Sequence, residues 1–224
     1  VELFVSKRHR VYREGDRVIK CHASVQAAAA EASLLRTYHR AGLRVPELLF
    51  QRGSELVMEY IPGETIPDFL AHRETESGSC DASLVEATLV EAARGLCSWF
   101  ADFYQAVGYM PGGEIRGDVN GRNFIIENGR VSSVDFEERA FGRAEEDIGR
   151  LIAFIYTYTL SGTRVKRRFA KLVYQEALEI LSLSALGIIA GHRAERAAMR
   201  KRRRSPAPAS PAPPPLPAWH FLIQ

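Results

Sequence analysis

The dipeptide Pro62-Gly63 splits this chain into two parts with different periodicities, and no single sheet or helical bundle accommodates both. Proline gives no N–H to a ladder or a helix interior, and the glycine beside it favours a turn. On the N-terminal side, Leu3-Phe4-Val5, Val11-Tyr12 and Val18-Ile19-Lys20-Cys21 read as short strands, with Glu14-Gly15-Asp16 as the turn between the last two. Ser24 is placed to N-cap a helix over about residues 25–40, which Gly42 ends and Pro46 keeps from resuming. Strands at 47–51 and 55–60 follow on either side of Arg52-Gly53-Ser54. The order β-β-β-α-β-β predicts a small antiparallel sheet with one helix. Beyond Pro62-Gly63 nearly everything reads as helix except 114–137. Asp81 or Ser83 can cap a helix to about residue 107, whose Leu84, Leu89, Leu96, Trp99, Phe100 and Phe103 form an apolar stripe. Phe124-Ile125-Ile126 and residues 130–134 flank Asn128-Gly129, a strong hairpin signal, and helices over 145–158 and 165 to about 183 complete the body.

Charge and composition narrow the function classes. The formal charge is +3, but residues 193–204 hold seven Arg/Lys against one Glu, so the remainder of the chain is net −3. The basic balance therefore describes a tail and predicts no specific nucleic-acid groove. Cys21, Cys80 and Cys97 form no CxxC pair, which fits a reducing, cytoplasmic setting better than a disulfide framework. No signal-peptide pattern opens the sequence, and the longest apolar stretch, near 181–190, is too short to span a bilayer. Residues 205–217 (SPAPASPAPPPLP) cannot pack a core and are expected to be extended or disordered. Their Pro-x-x-Pro matches and the basic run could engage an SH3-type groove or an acidic partner, but low-complexity composition accounts for them without one.

The chemistry concentrates in RGDVNGRNFIIENGRVSSVDFEERAFGRAEED, residues 116–147. Asp118 and Asn123 stand five apart between glycines, and Asp135 leaves the second strand of the hairpin. One carboxylate could orient a hydroxyl nucleophile while an amide oxygen and a second carboxylate hold Mg²⁺ on ATP phosphates. Such a site also needs a cation for the triphosphate. Lys20, at the end of the third strand, supplies one, and Glu31 in the following helix is the natural carboxylate to fix it.

In this order the residues resemble the protein-kinase-like superfamily, specifically its aminoglycoside phosphotransferase and choline kinase branch. EASLLRTYHRAGLRVPELL resembles that branch's third helix and the strand after it, LVMEYIPGE its hinge, and RGDVNGRNFII with VDFEERAFGRAEEDIGRL its catalytic loop, metal motif and acidic helix start. The resemblance covers about residues 3–180. It implies an α+β bilobal protein-kinase-like fold: an N-terminal lobe over 1–57, a hinge at 58–63, a mainly helical C-terminal lobe over 64–198, and a basic, Pro-rich tail over 199–224. It implies that Lys20 contacts the ATP phosphates with Glu31 positioning it, that the Glu59 C=O and Ile61 N–H read adenine with Met58 at the back of the pocket, that Asp118 is the catalytic carboxylate, and that Asn123 and Asp135 ligate Mg²⁺. Asp147 is expected to cap a helix and brace the loop. The implied reaction is transfer of the γ-phosphoryl of ATP to a hydroxyl of a small-molecule acceptor. A RIO-like or KEOPS-type Ser/Thr kinase and a pseudokinase nucleotide-binding module are the alternatives.

Three departures stand out. Arg116 occupies the position of the family's histidine, so a guanidinium must supply its brace. The loop Ser6-Lys7-Arg8-His9-Arg10, expected to cover the phosphates, has no glycine, and position 120 is Asn where protein kinases carry Lys. Glu137-Glu138 could wall a cationic substrate or pair with Arg139, and the six histidines show no ligand spacing. Phe154, Tyr156 and Tyr158 read as core at helical spacing.

Overall fold

Val11, Ile19, Val57 and their neighbours alternate as strands should, and in the computed structural model they form a five-stranded antiparallel sheet. The structure describes residues 2–4, 9–76, 82–137, 139–157 and 162–204. Strands β1 (Glu2–Phe4), β2 (Arg10–Glu14), β3 (Arg17–Cys21), β4 (Leu48–Arg52) and β5 (Glu55–Glu59) lie in the order β1-β2-β3-β5-β4. The β2–β3 hairpin turns at Gly15, with Arg10 opposite Cys21 and Val11 opposite Lys20. Helix α1 (Val25–Arg40) is capped by Ser24, whose hydroxyl accepts from the Ala27 N–H at 3.1 Å, and lays Ala28, Glu31, Leu35 and Tyr38 inward. The expected β-β-β-α-β-β order is the observed one.

Past Pro62, β6 (Glu64–Thr65) crosses to pair with β8 (Phe124–Glu127), which pairs in turn with β9 (Arg130–Ser133). Gly63 is required at this crossing: a Cβ there would lie 2.5 Å from the Ile126 carbonyl oxygen. Asn128 and Gly129 take φ of 48° and 72°, the two positive values that the tight hairpin turn needs. Helices α2 (Ile66–Glu76), α3 (Ala82–Ala106), α4 (Ala144–Thr157), α5 (Arg164–Ile180) and α6 (Ala185–Arg204) make up the rest, with a short ribbon of β7 (Glu114–Ile115) against β10 (Ala140–Phe141). None of the helices among the described residues is long and apolar enough to cross a membrane. The main core gathers on α3: Trp99 stacks on Phe103 at 5.5 Å and meets Phe124 and Phe136 edge-on or tilted. The Trp99 indole N–H donates to the Arg44 carbonyl at 3.0 Å, so the region after α1 is tied to the same centre.

Two expectations change. The chain forms a further long helix in its C-terminal region, α6, where the apolar pattern predicts none. This helix carries the start of the supposed tail: residues 199–204 are helical, with Met199 buried. The acidic helix begins at Ala144, so Asp147 lies in its first turn rather than at its cap. Tyr158, Cys80, Glu138, Ser6–Arg8 and the Pro-rich segment lie outside the described residues.

Candidate active site

Lys20 projects from the middle of the sheet, where β2 and β5 flank its strand, and its ammonium is almost wholly enclosed. Three carboxylates converge on it. Glu31 Oε2 from α1 is 2.8 Å away, Glu137 Oε1 is 2.9 Å away, and Asp135 Oδ1 makes a shorter contact. Burial alone would pull the Lys20 pKa down; Glu31, Asp135 and Glu137 outweigh it, and the pKa lies above the ordinary lysine value. Burial raises the Glu31 carboxyl, but the contact with His22 and the Lys20 charge more than reverse this, leaving it below the usual range. The other oxygen of Glu31, Oε1, accepts the Phe136 N–H at 3.1 Å, which fixes the residue after Asp135 against α1.

The loop from Arg116 to Asn123 is wound by its own backbone. The Asp118 N–H donates to the Arg116 carbonyl, the Asn120 N–H to Asp118 Oδ1, and the Asn123 N–H to the Asn120 carbonyl. The Asp118 side chain is exposed, whereas Asn123 is buried and its amide donates to the Asp118 carbonyl at 3.4 Å. The Val134 N–H donates to the Asn123 carbonyl at 2.9 Å, so the two ends of the hairpin deliver Asn123 and Asp135 to one side. Asp135 sits at φ 68°, an unusual left-handed aspartate. Burial raises its carboxyl, Lys20 lowers it more, and the net pKa is below the ordinary value.

Arg116 supplies the brace. Its guanidinium is buried and donates to the carbonyls of Val134 and Asp135, each at 2.8 Å, and to Ser133 Oγ at 3.3 Å. It also lies 4.2 Å from the centre of the Phe136 ring. Burial lowers its pKa against the pull of Asp118, Asp135 and Asp147. Asp147 anchors the loop's other side, accepting from the backbone N–H of Arg116 at 2.7 Å and of Gly117 at 2.9 Å, and from the Tyr104 hydroxyl at 3.0 Å. It braces the 116–123 loop from inside α4.

Other residues join the site without a motif to mark them. Glu137 lines the cavity and also meets Lys20 and His9 Nε2, the latter at 2.6 Å, while Arg139 pairs with Glu114. His22 Nε2 stands 3.0 Å from Glu31, and the His9 and His22 rings are 4.6 Å apart. The hairpin register was the available signal, since these histidines flank the Arg10–Cys21 pair. Met58 is buried on β5, and the Glu59 N–H donates to the Glu47 carbonyl at 2.9 Å. Ile61 follows β5 with no regular structure. Asp118, Asp135 and Glu137 open on a cavity of about 720 Å³ whose far wall is α4 and α6.

As a donor set, Asn123 and Asp135 offer hard oxygens; the Asp135 side chain is partly open to the cavity, and Asn123 is buried beside the hairpin's open end. The residues present fit Mg²⁺. Glu31, Asp135 and Glu137 also have carboxylate oxygens within 4.8 Å of one another, but Lys20 lies among them as the counter-ion.

No family model and no curated protein sequence matches the chain. Solved structures do. Aminoglycoside phosphotransferase APH(3″)-Id from Streptomyces rimosus superposes with a TM-score of 0.61 over 86% of this chain and 88% of its own, at 13% identity. The gentamicin complex of APH(2″)-IIa gives 0.56 over 91% and 87%, also at 13% identity. The bilobal α+β kinase-like fold inferred from the sequence is therefore the fold that this chain shares with aminoglycoside phosphotransferases.

Proposed function

We propose that this protein is a Mg·ATP-dependent phosphotransferase acting on a hydroxyl of a small molecule. The observation that carries the reading is the convergence of Lys20, Glu31 and Asp135 from sheet, helix and hairpin, beside a cavity that also receives Asp118. A structural ion pair has no need of all four. Lys20, held by Glu31, would contact the α- and β-phosphates, and Met58 with the backbone of Glu59 and Ile61 would receive adenine. Asn123 and Asp135 would hold Mg²⁺, which would supply charge neutralisation on the phosphates of ATP. Asp118 orients the acceptor hydroxyl and takes its proton as the new O–P bond forms; the bond from the γ-phosphorus to the bridging oxygen breaks and ADP leaves. Arg116 keeps Asp135 and Phe136 in register with the loop that carries Asp118.

The cavity of about 720 Å³ beside Asp118 has room for a small acceptor. The test is ADP formation from Mg·ATP across hydroxylated acceptors, wild type against Asp118→Asn. Loss of the positioned carboxylate should lower kcat by roughly 10²–10⁴-fold while ATP affinity changes little. Absence of ATP binding in the wild type would end the proposal; tight ATP binding without turnover would favour a nucleotide-binding module.

A further inference from the structure

The cavity beyond Asp118 is dressed for a negative charge. Resting on the phosphotransferase reading, we infer that the acceptor is a hydroxyl compound carrying a carboxylate or phosphate group, held by Arg150 and Arg139, and not a polycation. Arg150 and Phe154 stand one turn apart on α4, and both line the cavity with Arg139. Glu195 and Arg202 come from α6 across from them.

The carboxylates on this wall are already engaged. Asp135 and Glu137 hold Lys20, Glu137 also meets His9, and Glu195 is paired with Arg202. Asp118 is reserved for the reacting hydroxyl. A cationic acceptor would therefore have to share carboxylates that already hold a cation of the protein. The arginines are in the opposite condition. Arg150 uses one nitrogen on Glu146, at 2.7 Å, and Arg139 makes a looser contact of 3.6 Å with Glu114; neither glutamate lines the cavity. Each guanidinium is oriented from behind by a carboxylate and keeps further N–H donors for a bidentate anion. Half-buried Phe154 adds an apolar surface for the carbon skeleton. The cavity volume of about 720 Å³ suits a small metabolite-sized acceptor.

Two arms test this. In the first, Mg·ATP turnover is measured with glycerate, glycerol 3-phosphate and ribose 5-phosphate against choline and kanamycin. In the second, calorimetry follows binding of the same five compounds without nucleotide. Turnover confined to the anionic set is expected, and the preference within it separates carboxylate from phosphate. Arg150→Gln should raise acceptor KM roughly ten- to a hundredfold, the loss of a charged hydrogen bond, with kcat and the KM for ATP little altered. Arg150→Lys should recover part of it, and Arg150→Glu none. Equal or better turnover of choline or kanamycin would overturn the inference, as would an Arg150→Gln effect on the KM for ATP alone. If no compound yields ADP, the phosphotransferase reading fails separately: Arg150-dependent binding of the anionic probes would keep the anion cavity, and no such binding would remove it too.

Discussion

Arg116 braces the loop and the hairpin end with one guanidinium, and the geometry shows how. A planar fork with several donors reaches two successive carbonyls and a hydroxyl at once. Arg116→Ala takes the guanidinium from those partly buried carbonyls, and should cost about 2–3 kcal/mol in a denaturant titration. Arg116→Lys should recover only part of that, because one nitrogen placed where Nη2 meets both carbonyls cannot also reach Ser133 Oγ; full recovery would show that charge alone matters. Lys20 poses a different problem. Removing its ammonium in Lys20→Met leaves Glu31, which is 1% exposed, with only His22 and the Phe136 N–H, and should destabilise the protein by about 3–5 kcal/mol. The double change Lys20→Met with Glu31→Leu should be more stable than Lys20→Met alone, while remaining inactive. A double variant no more stable than the single one would mean that the ion pair is not what the lysine protects.

At the scale of elements, the site depends on how closely α6 lies against α4. A Cβ on Gly149 would fall 2.4 Å from the His192 nitrogen and 2.6 Å from the Ile188 oxygen, and Gly187 and Gly191 likewise press on Glu145. The Gly149 contacts are with backbone, so the neighbour cannot swing aside as a long side chain would. Gly149→Ala should therefore separate the helices and lower stability by about 1–3 kcal/mol, the usual cost of overpacking. Acceptor KM should rise in the same variant, because Arg150 and Glu195 sit on opposite helices of the cavity wall, while the KM for ATP stays near the wild-type value. An unchanged melting temperature would contradict the close approach. The same geometry explains why α6 is hard to read from sequence. It docks through glycines, with few large side chains such as Ile188 and Met199 buried, and its second half is rich in arginine. The apolar content that makes α3 stand out is low there, and its glycines resemble helix breakers.

Across the whole molecule, sheet, helix and hairpin meet at one buried ion network, and that network is only partly legible in the sequence. Asp118, Asn123 and Asp135 share one short segment, and Lys20 and Glu31 sit on successive elements, so local spacing exposes them. Glu137 cannot be assigned this way: the left-handed backbone at Asp135 precedes it, and no residue pattern announces that turn. Nor can the cavity, since one of its walls is α6. The network also makes stability depend on pH in a definite direction. Glu31 and Asp135 are held below the usual carboxylate range, so each contributes stability that is complete above about pH 4 and disappears as pH falls through the depressed values. Lys20, held above its ordinary value, contributes stability that is complete below about pH 10 and is lost as pH rises further. Asp147 runs the other way among the acids: burial raises it, so it withdraws stability as pH climbs just above about 4. Denaturant unfolding measured between pH 2.5 and 7 should show an acid limb below about pH 4, with each group adding at most about 1.4 kcal/mol per pH unit. Asp135→Asn should flatten that limb without new backbone strain, because asparagine accepts a φ of 68° as readily as aspartate does. Asp147→Asn should leave the limb below pH 4 in place and remove the decline just above it. An acid limb of the same slope in Asp135→Asn would show that this carboxyl titrates in the fold as it does in the unfolded chain, and that Lys20 does not hold its charge.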